Sequence, residues 1–276
     1  MEKDVEAIIE RALEEDLPYG DITSESIISS ESQSQAVILT KENGILAGIG
    51  VAENVFFKID PLLSFAVRKK DGQEIKNGDV LAELQGSSIS LLKGERTALN
   101  FLQRLSGIAT ITHQFVEVLE GCSTKILDTR KTTPGLRVLE KYAVKMGGGN
   151  NHRQSLSDMV LIKDNHIRLV TGISEAVQLA RAKVHRDIKI EVETTCKEEV
   201  IEAVRSGADM IMLDNMSLEE MRDIVAFVKG KVPLEISGNV DLKTAEKYAD
   251  LGVDYISVGS LTHSFKSLDI SMDIIG

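Results

Sequence analysis

A short stretch of the chain is rich in positive charge and in glycine, although the protein as a whole is acidic. Residues 130–168 hold eight Lys/Arg against three Asp/Glu, whereas the whole chain has 32 basic and 43 acidic residues and a net charge of −11. A basic island in an acidic protein predicts a pocket for a small, highly charged anion. A nucleic-acid surface is disfavoured, because the acidic remainder would repel the polymer. The island and the two residues before it contain the motifs Asp128-Thr-Arg-Lys-Thr-Thr-Pro-Gly135 and Gly147-Gly-Gly-Asn-Asn-His-Arg153.

Two carboxylates are predicted to share this pocket with its cations. Glu193 and Asp214 each close an apolar run of strand type. They could act as general acid and base, bind Mg²⁺ as hard oxygen ligands, or accept hydrogen bonds from ribose hydroxyls. Neighbouring cations favour the ionised form of both, which weakens the general-acid alternative. A purely structural salt-bridge network remains a further alternative. The predicted cations are Arg130, Lys131, His152, Arg153 and Lys163.

The elements that must position these side chains alternate in the second half of the chain. Short apolar runs are followed by amphipathic helical runs, a pattern typical of βαβ units around a parallel sheet. Most predicted strands end in a polar or charged residue. Such ends converge at the mouth of a barrel but would be spread along an open sheet, so we favour an α/β barrel. The predicted strands are 125–128, 159–163, 188–193, 210–214, 234–237 and 255–259.

Small residues follow the last two predicted strands. Ser237 and Gly238 come after the fifth strand, and Gly259 ends the sixth. In barrels, the loops after the final strands often bind phosphate through backbone N–H groups, and glycine lets the phosphate approach the backbone. An ordinary turn between a strand and a helix is the alternative interpretation.

The first part of the chain shows no evident catalytic composition. An amphipathic opening helix, short strands at 36–39 and 44–50 and a hairpin region at 67–84 predict a small α/β domain. The apolar spacing of 91–119 predicts a long helix, on which Arg96 and Arg104 would usually face solvent. We expect an N-terminal domain at 1–108, a barrel at 109–267, and a tail at 268–276 that packs back on the first domain.

Composition disfavours several other classes of protein. The apolar runs are too short to span a bilayer, and the N-terminus lacks the plan of a signal peptide. Cys122 and Cys196 are isolated in the sequence. We therefore expect free thiols in a reducing cytoplasm rather than a disulfide or a zinc site.

Taken together, the motifs resemble those of the quinolinate phosphoribosyltransferase family, also called nicotinate-nucleotide pyrophosphorylases (carboxylating). The resemblance extends over the whole chain, and the order and separation of the motifs make it specific. Besides the two basic motifs, it depends on Glu95-Arg-Thr-Ala-Leu-Asn100, Leu161-Ile-Lys-Asp-Asn-His166, Glu191-Val-Glu193, Met212-Leu-Asp-Asn215 and Glu235-Ile-Ser-Gly238.

The resemblance implies a reaction, a fold and an assembly. Members of the family convert quinolinate and 5-phosphoribosyl 1-pyrophosphate (PRPP), with Mg²⁺, into nicotinate mononucleotide, pyrophosphate and CO₂ in de novo NAD synthesis. The implied fold is an incomplete, seven-stranded α/β barrel preceded by an N-terminal α/β sandwich-like domain. The implied assembly is a homodimer, or a hexamer built of dimers, in which the N-terminal domain of one subunit caps the barrel of the other.

The resemblance also implies roles for individual residues. Arg96 would reach the quinolinate carboxylates in the neighbouring subunit. Glu193 and Asp214 would lie at the ribose hydroxyls and the metal, directly or through water, and with Lys131 they are the expected catalytic residues. Quinolinate and phosphate would be bound by Arg130, Lys131, His152, Arg153 and Lys163, and the 5′-phosphate by Ser237, Gly238 and Gly259.

Other interpretations of the sequence remain open. A paralogous group associated with molybdate transport resembles the same fold, but the intact basic set favours quinolinate. Nicotinate phosphoribosyltransferase, which does not decarboxylate its substrate, would need fewer cations. A non-catalytic anion-binding barrel would have little use for Glu193 and Asp214.

A Schiff-base role for Lys163 would need a depressed pKa, which bound anions would oppose. A lipoyl-like carrier domain, suggested by the turns at 71–72 and 77–78, would need an exposed, modifiable lysine at the turn between its two halves, and the sequence offers none at that turn.

Overall fold

The computed structural model describes residues 2–275, which form two compact units. The first unit comprises residues up to 113, 132–148, and those from 261 on, and the second comprises 114–131 and 149–260. The return of 132–148 to the first unit is not indicated by any sequence pattern. No helix within the described residues is both long enough and apolar enough to cross a membrane.

Helices and strands alternate along most of the chain. The strands are β1 (Gln33–Thr40), β2 (Gly44–Ile45), β3 (Ser64–Val67), β4 (Glu74–Ile75), β5 (Val80–Ser87), β6 (Lys125–Leu127), β7 (Val160–Ile162), β8 (Ile190–Thr194), β9 (Met210–Asp214), β10 (Leu234–Ser237), β11 (Tyr255–Ser257) and β12 (Ile270–Ile274). The helices are α1 (Glu2–Asp16), α2 (Ile22–Ile27), α3 (Ile49–Ile59), α4 (Ser88–Val118), α5 (Arg137–Met146), α6 (Asp164–Arg168), α7 (Ile173–Lys183), α8 (Lys197–Arg205), α9 (Leu218–Val228), α10 (Leu242–Tyr248) and α11 (Ser260–His263), with a short 3-10 turn at Ala249–Leu251.

The first unit is built on an antiparallel sheet with the strand order β12-β1-β5-β3. Strand β12 pairs with β1, so the C-terminal segment completes the sheet that the N-terminal part begins. The predicted strand at 44–50 is wrong beyond its first two residues. Gly48 adopts the left-handed conformation, with φ of 97°, and caps helix α3, whose buried face includes Val55 and Phe56. Glycine adopts this conformation readily, which explains the change from strand to helix.

Helix α4 confirms the predicted long helix, and it packs closely against two segments of the first unit. A Cβ atom on Gly107 would lie 2.2 Å from the backbone oxygen of Lys266. The Arg104 guanidinium donates to the fully buried Glu140 carboxylate (Nε to Oε1, 3.1 Å) and lies 4.8 Å from the centre of the Phe265 ring. The expectation that Arg104 would face solvent is therefore wrong.

The second unit confirms the predicted α/β barrel class. Its parallel sheet has the order β6-β11-β10-β9-β8-β7, and each of these strands lies within two residues of its predicted bounds. The seventh place expected for the barrel is taken by a single-residue parallel bridge between Asn150 and Leu127, rather than by a full strand. Asn150 donates its N–H to Ile126 and accepts that of Asp128, which fixes the chain just before His152.

Candidate functional site

A cavity of about 520 Å³ lies within the second unit, and residues from all six of its parallel strands or the loops after them line it. In a flat sheet with strands about 4.8 Å apart, the two outer strands would be separated by roughly 24 Å and could not share such a cavity. The sheet therefore curves, and the carboxyl ends of its strands converge, as expected for a barrel. Beyond the predicted site residues, the lining includes Thr129, Leu161, Met212, Asn215, Glu235, Asn239 and Ser257.

The structure brings nine of the eleven predicted site residues to this cavity. The two others are Gly259, which follows β11 in the same unit, and Arg96, which belongs to α4 in the first unit. The Arg96 side chain is 60% exposed, and its Nη2 atom lies 4.0 Å from Glu95 Oε1. The nine lining residues are Arg130, Lys131, His152, Arg153, Lys163, Glu193, Asp214, Ser237 and Gly238.

Two arginines supply fixed positive charge to the cavity. The Nη1 atom of Arg153 donates to the backbone oxygen of Met159 at 3.1 Å, which orients its guanidinium. Burial and the nearby charge of Arg130 lower the pKa of Arg153, although a guanidinium remains charged at any physiological pH. The Nε atom of Arg130 is buried without a hydrogen-bond partner. Two mutually repelling arginines, one with an unused donor, favour the binding of a carboxylate or phosphate.

Glu193 and Asp214 lie at the ends of the adjacent strands β8 and β9. The Oε2 atom of Glu193 is bonded to the Lys163 ammonium, and the Oδ2 atom of Asp214 accepts from Asn215 Nδ2 at 2.9 Å. Each carboxylate thus uses one oxygen for a neighbouring side chain. The second oxygen of each can serve a hard cation or a hydroxyl group, so the donor set fits a magnesium ion.

The turns after β9 and β10 interlock at the cavity. Gly238 has φ of 99°, and a Cβ atom there would lie 2.3 Å from the Asn215 carboxamide oxygen. Asn215 and Asn239 also have positive φ, 54° and 48°, and Asn239 Nδ2 donates to Asn215 Oδ1 at 3.2 Å. Glycine at 238 is therefore required by its backbone conformation and by its neighbour. The conformation also leaves its backbone bare at the cavity wall.

The glycine run after α5 was expected to belong to the anion pocket, but its first residue serves packing instead. A Cβ atom on Gly147 would lie 2.3 Å from the backbone oxygen of Ala109, so this glycine permits close packing within the first unit. His166 accepts the backbone N–H of Lys163 at 3.0 Å at the start of α6 and so has a structural contact there. Neither residue lines the cavity.

Sequence reasoning missed a buried acidic pair beside the cavity, of which Glu235 lines the wall. Glu191 and Glu235 are fully buried, and their Oε2 atoms lie 3.0 Å and 3.4 Å from His152 Nε2. Each stands two positions before a predicted site residue, Glu193 or Ser237, and therefore on the same face of its strand. This alternation was the signal that could have identified them.

The buried cluster of His152, Glu191 and Glu235 has unusual proton affinity. Burial and the neighbouring Glu235 carboxylate raise the pKa of Glu191 to about 7. Burial of the imidazole works to lower the pKa of His152, but the hydrogen bond to Glu191 and the nearby Glu235 outweigh it, and the net shift is upward. Since the groups are coupled, the cluster as a unit retains protons that isolated side chains would lose.

Comparison with known proteins gives a consistent result along the whole chain. The model of the quinolinate phosphoribosyl transferase C-terminal domain matches residues 108–273, and that of the N-terminal domain matches 21–106. A probable nicotinate-nucleotide pyrophosphorylase [carboxylating] of Bacillus subtilis is 46% identical over 260 residues, covering 94% of this chain and 90% of the relative. A quinolinate phosphoribosyltransferase [decarboxylating] of Nicotiana tabacum is 40% identical, covering 98% and 82%.

Solved structures agree with the sequence relatives. The crystal structure of NadC from Streptococcus pyogenes superposes with a TM-score of 0.96 at 42% identity, covering 100% of this chain and 99% of that one. Human nicotinic acid phosphoribosyltransferase is 10% identical with a TM-score of 0.62, a likeness of fold alone. The resemblance inferred from the motifs is thereby confirmed: the chain belongs to the quinolinate phosphoribosyltransferase family.

Proposed function

We propose that this protein transfers the phosphoribosyl group of PRPP to the ring nitrogen of quinolinate and decarboxylates the product to nicotinate mononucleotide. One observation carries the proposal furthest: a single cavity combines two arginines and two lysines with the carboxylates of Glu193 and Asp214. The cations suit a dicarboxylate and a polyphosphate together. The carboxylates suit a sugar whose anomeric carbon becomes positively charged in the transition state. A simple anion-binding protein would gain nothing from them.

The first step would exchange one bond at the sugar for another. The ring nitrogen attacks the anomeric carbon, while the bond from that carbon to pyrophosphate breaks and its electron pair leaves with the pyrophosphate. Arg130 and Arg153 would hold the quinolinate carboxylates and orient the nitrogen. Glu193 and Asp214 would stabilise the positive charge on the sugar through their own negative charge. Ser237, Gly238 and Gly259 would hold the 5′-phosphate.

The second step would remove the carboxylate next to the alkylated nitrogen. The bond between the ring and this carboxylate breaks, CO₂ leaves, and the electron pair stays on the ring carbon beside the cationic nitrogen. A proton from solvent then takes the place of CO₂ on this carbon. We assign Lys131 to the electrostatic stabilisation of this carbanion.

A divalent cation fits the site, with Glu193 and Asp214 as the residues that would hold it, directly or through water. When bound, Mg²⁺ would neutralise the charge that develops on pyrophosphate. The enzyme itself would supply the sugar-facing carboxylates and the cations that orient both substrates.

We infer that the working form is a cytoplasmic homodimer, alone or within a hexamer. The Arg96 guanidinium, 60% exposed on α4, is available to a second copy of the chain. Cys122 and Cys196 are both unpaired, which suits a reducing compartment.

The test is a reaction of the purified protein with quinolinate, PRPP and Mg²⁺. Nicotinate mononucleotide and CO₂ should form in equal amounts, and nicotinate offered in place of quinolinate should react little. No turnover of quinolinate by folded protein would refute the proposed activity. It would favour the paralogous group or an anion-binding role.

A further inference from the structure

The buried cluster of His152, Glu191 and Glu235 has no part in the steps described above. Its nitrogen and carboxylate oxygens lie within 4.8 Å of one another, and the His152 side chain is only 7% exposed. Three such groups can hold a metal ion, or they can be joined by hydrogen bonds that keep one of them in place. The hydrogen bonds of the imidazole distinguish these possibilities.

The imidazole of His152 is engaged on both nitrogens. Its Nδ1 atom accepts the backbone N–H of Arg153 at 2.7 Å, an arrangement that requires Nδ1 to carry no proton. The single proton of the ring then lies on Nε2, which donates to Glu191 Oε2 at 3.0 Å, and the raised proton affinity of the coupled cluster does not place a second proton on Nδ1. A histidine that binds a metal through Nε2 needs the opposite arrangement, with a free lone pair on Nε2 and a proton on Nδ1. The cluster is therefore built for a hydrogen bond rather than for a cation.

We propose that Glu191 is a positioning residue that acts through His152. Its carboxylate fixes the tautomer and the plane of the imidazole, and the imidazole in turn fixes the backbone of Arg153. The backbone N–H of His152 is held separately by Asp128 Oδ1 at 2.9 Å, so the dipeptide is restrained at two points. Both of its side chains line the cavity. The inference rests on the proposed function, in which the Arg153 side chain contacts the quinolinate carboxylates.

Glu235 differs from Glu191 in its hydrogen bonding, and the difference supports Glu191 as the residue that holds the His152 ring. Its Oε2 atom lies 3.4 Å from His152 Nε2, yet neither of its carboxylate oxygens has a hydrogen-bond partner, although the residue is fully buried. The imidazole proton is thus directed at Glu191. Loss of the Glu191 acceptor should release the ring, because Glu235 does not hold it in the observed geometry.

The test compares Glu191→Gln, which keeps an acceptor oxygen, with Glu191→Leu, which has none. Nitrogen-15 NMR of the His152 ring should show a protonated Nε2 in the wild type and in Glu191→Gln, and a mixture of tautomers in Glu191→Leu. The KM for quinolinate should rise about 10- to 100-fold in Glu191→Leu, as for loss of a charge-assisted hydrogen bond, and stay within about threefold in Glu191→Gln. The KM for PRPP should change little in both. Glu198→Gln, on the exposed side of α8, is the control.

Several results would overturn the proposal. A wild-type spectrum with the proton on Nδ1 would do so without any variant. So would a folded Glu191→Leu protein with the wild-type quinolinate KM, or a Glu191→Gln protein as impaired as Glu191→Leu. Stoichiometric binding of Co²⁺ that disappears in Glu235→Gln would show a metal site instead. If Glu191→Leu does not fold, Glu191→Met takes its place. Failure of the wild type to use quinolinate would refute the proposed function, whereas the spectrum would still test the contact between Glu191 and His152.

Discussion

Lys131 is the residue whose predicted contribution to the chemistry is most easily separated from binding. It lines the cavity directly after Arg130, and the proposed reaction leaves a negative charge on a ring carbon after CO₂ departs. Removal of a cation near that charge should slow decarboxylation by about 10²- to 10³-fold, the usual effect of losing one such electrostatic contact. We therefore expect Lys131→Ala to lower CO₂ release strongly.

The control for Lys131→Ala is Lys145→Ala. Lys145 belongs to the same basic stretch of sequence but is exposed on α5. It should retain wild-type rates of CO₂ and pyrophosphate release, both followed from labelled quinolinate and PRPP. Decarboxylation at the full rate in Lys131→Ala would show that the assignment of this lysine is wrong.

The cluster of His152, Glu191 and Glu235 should make stability depend on pH. Burial raises the pKa of Glu191 to about 7, above its ordinary value of 4.5, and the pKa of His152 also shifts upward. Both shifts mean that the folded protein holds more protons than the unfolded chain, so the sign does not depend on how the proton is shared. The stabilising contribution of Glu191 is complete below about pH 4.5 and is lost as the pH rises through about 7.

Urea denaturation between pH 5 and pH 8 measures this effect. The contribution of the cluster to the free energy of unfolding should decrease with rising pH. In Glu191→Gln, which cannot ionise at this position, the decrease should be smaller than in the wild type. An identical pH dependence in the two proteins would contradict the prediction.

The sequence identified cavity residues correctly where a reactive or polar side chain stands at the end of a clearly patterned strand. Asp214 and Ser237 close strands whose apolar patterns are clear, so their convergence on a mouth followed from the barrel hypothesis. Glu191 and Glu235 were overlooked because carboxylates in the middle of apolar strands are unexpected in a core. The proposed target of Arg96 lies in a second copy of the chain, so no pattern within one chain points to it.

At the scale of elements, Arg104 joins α4 to α5 and to the segment before it. Its guanidinium bonds both Glu140 and the Thr133 hydroxyl, and Glu140 Oε2 accepts the Thr133 N–H at 3.1 Å. Arg104→Met would leave a buried carboxylate without its cation, a change that typically costs about 3–5 kcal/mol. The free energy of unfolding from urea titrations should fall by this amount.

A second substitution tests the cause of that loss. Arg104→Met combined with Glu140→Leu removes both charges and should recover much of the stability, because an apolar pair can replace a buried ion pair. A double variant less stable than Arg104→Met would show that Glu140 stabilises the unit through contacts other than its ion pair.

Helix α4 also offers a test of close packing. Gly107→Ala would bring a Cβ atom to 2.2 Å from the Lys266 backbone oxygen, and should destabilise the protein by about 1–3 kcal/mol or more through overpacking. Gly50→Ala, in helix α3, meets no atom within 4 Å and should leave the melting temperature unchanged or slightly raised. Equal melting temperatures for the two variants would contradict the packing argument.

The elements were predictable wherever periodicity was the dominant signal. The long helix and the six parallel strands have apolar patterns that packing reinforces. The strand predicted at 44–50 failed because the left-handed conformation of Gly48 starts a helix there, and apolar composition alone does not distinguish the two. The placement of α5 in the first unit depends on contacts distant in sequence, such as Gly147 against Ala109, which no local pattern contains.

At the scale of the whole molecule, the cavity contains most of the groups that the proposed reaction needs, and Arg96 is the one predicted binding residue in the other unit. A dimer in which each subunit contributes Arg96 to the active site of its partner would explain why this arginine is exposed on α4. The proposal makes catalysis depend on assembly, because a separated subunit would bind the quinolinate carboxylates with fewer cations.

Mixed dimers show whether Arg96 acts in the active site of the partner subunit or in that of its own subunit. Arg96→Ala and Asp214→Asn should each be nearly inactive as pure dimers. Two different affinity tags allow the heterodimer of these variants to be purified. If Arg96 acts in the partner's site, one of the two sites in this heterodimer carries both defects and the other carries none, so about half of the wild-type activity per dimer should return. If Arg96 acts in its own subunit, each site keeps one defect and the heterodimer should remain inactive. Sedimentation of the same preparation would verify that the dimer is intact, so that an inactive heterodimer counts against the exchange of Arg96 and not against assembly.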